Sequence, residues 1–214
     1  MMYRFCRVLF ALCIARPITL LFLGLNVRNK ETLQWENPSI IVANHNSHLD
    51  TLVLLSLVPL HQVHKVNPAA ATDYFLSNKL TSWLSRNFLG IVGVSRKRNG
   101  KHPLAECQAA LEKGHSLILF PEGTRGEPEK MQSIKSGIAS LAKQFPSAPV
   151  VPVFMHGLGR ALPKGEWLLI PFFCDVFVGE QIQWQGDKNS FIKKLENQFL
   201  ALKEKLPANW MKHD

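Results

Sequence analysis

The sequence predicts a single α/β domain built on a mostly parallel central sheet flanked by helices, with a membrane-associating helical segment at its N-terminus. Three observations predict it. Short apolar runs at residues 39–43 (Ser-Ile-Ile-Val-Ala), 116–120 (Ser-Leu-Ile-Leu-Phe) and 150–155 (Val-Val-Pro-Val-Phe-Met) read as buried strands. Longer helical patterns separate them, and that alternation implies crossover connections. Polar, chemistry-bearing residues follow directly on the strand runs, where an open parallel sheet places its functional groups. At 214 residues the chain suits one domain with a sizeable core. It divides into a segment 1–26 and a main domain 27–214.

Residues 1–7 are basic, 8–15 are apolar, Arg16-Pro17 interrupts, and 18–25 are apolar again. Neither half approaches the roughly 20 residues that span a bilayer, and a central arginine is costly in hydrocarbon. The expectation is an interfacial or re-entrant hairpin bent at Pro17, with Arg4, Arg7 and Arg16 among the headgroups. Packing on the domain and a signal peptide are the alternatives, although a cleavage site before Ala15 is poor.

Residues 49–57 form an apolar helix after the first strand. Residues 74–88 carry Phe75, Leu76, Leu80, Trp83, Leu84 and Phe88 on one helical face. Such a stripe reads first as core, and Trp83 between basic residues reads alternatively as a membrane-interface residue. A helix over 102–113 ends at Gly114, and another over 133–145 ends near Pro146. Residues 168–170 and 174–178 are candidate strands. A closing helix over 190–206 has Phe191, Leu195, Phe199, Leu202 and Leu206 on one face and stops at Pro207.

The chemistry concentrates at Asn44-His45-Asn46-Ser47-His48-Leu49-Asp50. A histidine at a strand end and an aspartate in the first turn of the next helix make a general base: the imidazole takes a proton, and the carboxylate fixes its tautomer. Two plainer readings compete. Ser47 to Asp50 is also a capping-box pattern, and His45, His48 and Asp50 are possible metal ligands. Further on, strand 116–120 runs into Pro121-Glu122-Gly123-Thr124-Arg125-Gly126. There Gly123 lets backbone approach a ligand, and Thr124 and Arg125 offer a hydroxyl and a planar fork suited to phosphate.

His-four-residues-Asp, with Asn before and Ser two after the histidine, resembles block one of the glycerolipid acyltransferases, a family that includes the 1-acylglycerol-3-phosphate acyltransferases. Phe-Pro-Glu-Gly-Thr-Arg resembles the family's third block residue for residue. Residues 90–96 (Gly-Ile-Val-Gly-Val-Ser-Arg) resemble block two, residues 150–155 block four, and Ile134-Lys135-Ser136-Gly137 a Phe-Lys-x-Gly run. The resemblance covers roughly residues 40–157. Gly126 stands where serine is common, and Ser95 where an acid or amide often precedes the arginine. The resemblance implies His45 as base and Asp50 as its orienting partner. It implies Arg96, Glu122, Gly123, Thr124, Arg125 and Lys135 as acceptor-binding residues, with Glu122 on the glycerol or fixing the turn. It implies acyl-CoA or acyl-carrier protein as cosubstrate, a lysophospholipid acceptor, and no metal or bound cofactor. Phosphatidic acid formed from 1-acyl-glycerol-3-phosphate is the expected reaction. Another lysolipid or amino-lipid acceptor, or a non-catalytic lipid-binding protein, are the alternatives.

No Gly-x-Ser-x-Gly elbow occurs, and no cysteine adjoins His45 in sequence, so a covalent acyl-enzyme is disfavoured. Backbone N–H groups of the block-one turn are candidate oxyanion donors. The net charge of +9 suits membrane phospholipids, acyl-CoA or an acidic carrier protein. Nucleic acid is not expected, because finger spacing, RNP-like aromatics and helix-turn-helix signals are all missing. Cys6, Cys13, Cys107 and Cys174 show no CxxC pairing and read as buried thiols in a reducing compartment. These features place the expected enzyme on the cytosolic face of the cytoplasmic membrane, peripheral or monotopic.

Overall fold

A computed structural model describes residues 2–75, 78–95, 102–126, 130–162 and 168–207. Seven strands form one sheet in the order β1-β7-β6-β2-β5-β3-β4. They are β1 (Leu23–Arg28), β2 (Ile40–Ala43), β3 (Val66–Ala71), β4 (Val92–Val94), β5 (Ser116–Leu119), β6 (Val150–His156) and β7 (Phe172–Val178). Every neighbouring pair is parallel except β6 with β7. The central strands β2, β5 and β6 are buried along their length, which is why they read as continuous apolar runs without alternation.

Alternate residues of β2 face two cores. Ile41 and Ala43 join α2 (Leu49–Leu57) on one side. Ile40 and Val42 join α5 (Ala105–Glu112), α6 (Gly137–Gln144) and α8 (Lys188–Lys203) on the other. The expected α8 face, from Phe191 to Leu206, is buried as a whole. Asp187 caps this helix by accepting from the Ser190 N–H at 2.6 Å. Gly114 takes a left-handed φ just beyond α5, as its C-terminal position requires.

The N-terminal segment departs from expectation. α1 (Met2–Phe10) continues through the wide turns Ala11–Ala15 and Ile18–Phe22 as one helix, and Pro17 itself has helical φ and ψ of −60° and −44°. No hairpin forms. Proline removes an N–H and crowds the preceding turn, and a widened turn on each side accommodates both effects. Arg7, Ala11, Ala15 and Thr19 form a buried stripe at four-residue spacing. Four residues of α-helix overshoot one turn by about 40°, and the wider turns absorb that excess. The stripe packs on α2, on the turn Val63–Lys65 and on Ser85–Leu89.

Arg7 and Arg16 do not reach outward to headgroups. Arg7 donates to the carbonyls of His64 at 2.9 Å and Leu89 at 3.3 Å and to that of Val66, while Arg16 donates to Val58 at 3.1 Å. Both fasten the helix to the domain. The outward face carries Phe5, Leu9, Leu12, Leu20, Leu21 and Phe22, all exposed.

Residues 18–25 also contain a strand that the sequence reading missed. β1 begins at Leu23 and pairs with β7, so the division after residue 26 falls inside it. β3 was missed as well, its Asn67-Pro68-Ala69 core being a poor strand signal. Residues 168–170 are not a strand; the Ile170 N–H instead donates to the Ala161 carbonyl at the end of α7 (Leu158–Ala161). The helix expected over 74–88 is split into α3 (Thr72–Phe75) and α4 (Lys79–Leu84), the latter extended by Ser85–Leu89. Its Leu80, Trp83 and Leu84 are exposed, contrary to a core stripe.

Candidate active site

The site lies beyond the C-terminal ends of β2 and β5. Asn44, the first residue after β2, extends the pairing to β6: its amide donates to the Met155 carbonyl at 2.8 Å and accepts the Met155 N–H at 2.7 Å. That fixes the direction in which His45 leaves the sheet. The imidazole stacks on Phe120 at 4.1 Å, and its Nδ1 lies 2.9 Å from Asp50 Oδ2.

Asp50 is completely buried in the first turn of α2, and the same Oδ2 accepts the Asn46 and Ser47 N–H groups at 2.7 and 2.9 Å. Burial pushes the Asp50 carboxyl upward, whereas the imidazole and the two backbone donors favour its ionised form. The arrangement has features of both readings: Asp50 Oδ2 accepts the Ser47 N–H as the acid of a capping box does, although the Ser47 hydroxyl accepts from Leu49 and not Asp50, and the same Oδ2 lies against the His45 ring.

The backbone donors expected for an oxyanion are engaged elsewhere. The N–H groups of Asn46 and Ser47 serve Asp50, and that of His45 donates to Glu122 Oε1 at 2.8 Å. Glu122 Oε2 accepts from the Gln132 N–H at 2.9 Å. With both oxygens used and 1% of its surface exposed, Glu122 braces the two loops and does not face substrate space. Of the two roles expected for it, the geometry fits the turn-fixing one. Burial also raises its pKa, which its two backbone donors and His45 oppose.

Gly123, Thr124, Arg125 and Lys135 meet along one wall of a cavity of about 960 Å³ that also takes in His45 and His48. Gly123 has φ +74°, and a Cβ there would lie 2.5 Å from Lys135 Nζ. Glycine thus gives the lysine its path along the loop. Lys135 precedes α6, which begins four residues later than the helix expected from 133, and its N–H donates to the Pro121 carbonyl at 2.9 Å. Arg125 donates to His48 Nε2 at 2.5 Å. Arg96 lies outside the described residues.

The rest of the cavity is mainly apolar, formed by Phe10 and Ile14 of the N-terminal helix with Leu52, Ala69, Leu89 and Ile91. Among the described residues, no three or more His, Cys, Asp or Glu side chains gather as metal ligands would. Cys107 is buried in α5, where desolvation pushes its thiol up to about 12, and Cys174 is buried in β7. Cys13, expected to be buried, is exposed on the N-terminal helix.

Residues 24–156 match the Acyltransferase family model, and the chain belongs to that family. Its relatives are more particular. It is 31% identical over 148 residues to the chloroplast 1-acyl-sn-glycerol-3-phosphate acyltransferase LPAT1 of Arabidopsis thaliana, covering 68% of this chain and 39% of that protein. It is 28% identical over 157 residues to the lyso-ornithine lipid O-acyltransferase of Rhizobium meliloti, covering 70% of this chain and 52% of that one. The crystal structure of the 1-acyl-sn-glycerophosphate acyltransferase PlsC from Thermotoga maritima superposes with TM-score 0.71 at 25% identity, over 92% of this chain and 78% of its own. The chain thus spans about two fifths to a half of these two curated relatives.

Proposed function

We propose that this protein transfers an acyl group from the thioester of acyl-CoA or acyl-carrier protein to the free hydroxyl of a lysophospholipid, 1-acyl-glycerol-3-phosphate, giving phosphatidic acid. The observation that carries the reading is the His45–Asp50 pair on the wall of a largely apolar cavity that also holds Arg125 and Lys135.

With Nδ1–H donated to Asp50, Nε2 is the ring nitrogen left to accept the acceptor's hydroxyl proton. The resulting alkoxide oxygen attacks the thioester carbonyl carbon, the carbon–sulfur bond breaks, and the proton on His45 passes to the leaving thiolate. General-base help of this kind contributes about 10²–10⁴-fold. Arg125, Lys135, Thr124 and Arg96 take the acceptor phosphate, Gly123 gives Lys135 its path, and Glu122 holds the loops in register. The apolar part of the cavity takes the acyl chain.

The protein sits on a membrane by the outward face of its N-terminal helix. The Tyr3–Phe22 helix is long and apolar enough to cross a bilayer. However, its buried stripe, with Arg7 and Arg16, holds it along the domain, which favours a monotopic placement over a spanning one.

The Rhizobium relative, named for a lyso-ornithine lipid, supports a second reading in which the acceptor is an amino-lipid of that kind. One assay separates them: pure protein in detergent, labelled acyl-CoA and acyl-carrier protein, and a panel of lysolipids that includes both acceptors. Phosphatidic acid as the main product is the expected result. Failure of folded protein to acylate any acceptor with either donor would defeat the enzymatic reading.

A further inference from the structure

We propose that His48 is a positioning residue for the acceptor: its neutral imidazole holds the Arg125 guanidinium in the pose that meets the acceptor phosphate. The inference rests on the reading of Arg125 as a phosphate ligand and adds the residue that sets its direction.

A guanidinium has only N–H donors, so in the 2.5 Å contact His48 Nε2 must be the acceptor. The ring is then neutral, with its proton on Nδ1. His48 is well placed for this work because its backbone is pinned on both sides. The preceding Ser47 gives its N–H to Asp50 and its hydroxyl to the Leu162 carbonyl at 2.9 Å, and α2 begins at the next residue. The loop that carries Arg125 is tied to the same turn by the Gly126 N–H donating to the His45 carbonyl at 3.0 Å. A rigid acceptor therefore meets a long, rotatable side chain across a fixed gap. The contact with His48 fixes the direction of Nη1 and, because the guanidinium is planar, the plane of the whole fork.

The charged groups around His48 keep it neutral. Partial burial disfavours the imidazolium, and Arg125 and His45 disfavour it further. Of the other charged groups nearby, Asp50 and Glu122 are buried and engaged with His45 and backbone N–H groups, and Lys135 adds positive charge on the same wall. His48 thus stays an acceptor to lower pH than an ordinary imidazole, near 6.5. Protonation below that range replaces the hydrogen bond with repulsion between two cations.

The test measures acceptor and donor KM and kcat for purified wild type, His48→Phe, His48→Gln, Arg125→Ala and the His48→Phe/Arg125→Ala double variant, with 1-acyl-glycerol-3-phosphate as acceptor. The expected result is an acceptor KM about tenfold or more higher in His48→Phe, the scale of one charge-assisted hydrogen bond. Its kcat and donor KM should change little, and its melting temperature should match wild type. His48→Gln, whose amide oxygen still accepts, should restore most of the affinity. Between pH 7.5 and 5.5 the acceptor KM of wild type should rise more than that of His48→Gln; titration of the substrate phosphate is common to both and cancels in the ratio.

In the Arg125→Ala background, His48→Phe should have no further effect. An unchanged acceptor KM in His48→Phe, alongside a raised one in Arg125→Ala, overturns this inference alone. An unchanged KM in Arg125→Ala overturns the phosphate reading and this inference with it. A His48→Phe effect that persists without Arg125 assigns His48 to another partner and also overturns the proposal.

Discussion

At the scale of residues, His45 and Asp50 form one hydrogen-bonded unit. Replacing His45 by Ala removes the proposed base but leaves the Asn46 and Ser47 donors on Asp50. Turnover should fall by about 10²–10⁴-fold while circular dichroism and melting stay near wild type. Near-normal turnover in that folded variant would remove the general-base assignment. Gly123→Ala tests the other wall. Its left-handed φ costs a side chain on the order of 1–3 kcal/mol, and the new Cβ would push Lys135 aside. Both a lower melting temperature and a raised acceptor KM are expected.

The dyad was legible because its members are five apart and flank one turn, so local structure alone brings them together. For Glu122 the sequence left two roles open, since its partners, the His45 and Gln132 N–H groups, are brought to it by packing between loops. The same holds for His48. It looked like a possible metal ligand until Arg125, 77 positions away, was placed against it.

At the scale of elements, the N-terminal helix is held to the domain by a cation on carbonyl oxygens. Arg7 is fully buried, and desolvation lowers its pKa, yet a guanidinium remains charged. Gly90, with φ +70°, lies directly beneath it, and a Cβ there would overlap the guanidinium. Gly90→Ala should therefore destabilise the fold by about 2 kcal/mol or more, from backbone strain and from displacement of Arg7. Denaturant unfolding measures it, and a loss within a few tenths of a kcal/mol would show that Arg7 is not needed there.

The sequence reading put a bend at Pro17 because proline and a central arginine both argue against a straight helix in hydrocarbon. What it lacked was the domain surface: Ala11 and Ala15 are small enough to let the helix lie on α2, and Arg16 finds a carbonyl there. The exposed Leu80, Trp83 and Leu84 were legible as a stripe but not as an outward one, since periodicity shows a face without showing what covers it.

At the scale of the whole molecule, alternating strands and helices were enough to read a mostly parallel sheet, and the strand-end motifs pointed to a candidate site beyond the C-terminal ends of its central strands. Strand order was not readable, because it depends on which distant runs pair. The completed sheet sets Leu20, Leu21 and Phe22, just ahead of β1, beside Ile170 and Phe173 at the start of β7, and all five are exposed. An apolar patch of this kind suits a lipid surface. Leu20→Glu with Leu21→Glu should cut flotation with anionic phospholipid vesicles sharply while leaving melting unchanged, since neither side chain is packed. Full retention on vesicles would place the contact elsewhere on the protein.

The pairing of β1 with β7 also sets an order of events during synthesis. Asn26 donates to Asp175 at 2.8 Å across a separation of 149 residues. At about 5–20 residues per second, roughly 7–30 s pass between the emergence of the two strands. A helix forms in about a microsecond, so the N-terminal helix can reach a bilayer long before the sheet can close. If the helix binds lipid as proposed, residues 2–22 are held at the surface while β1 waits for β7.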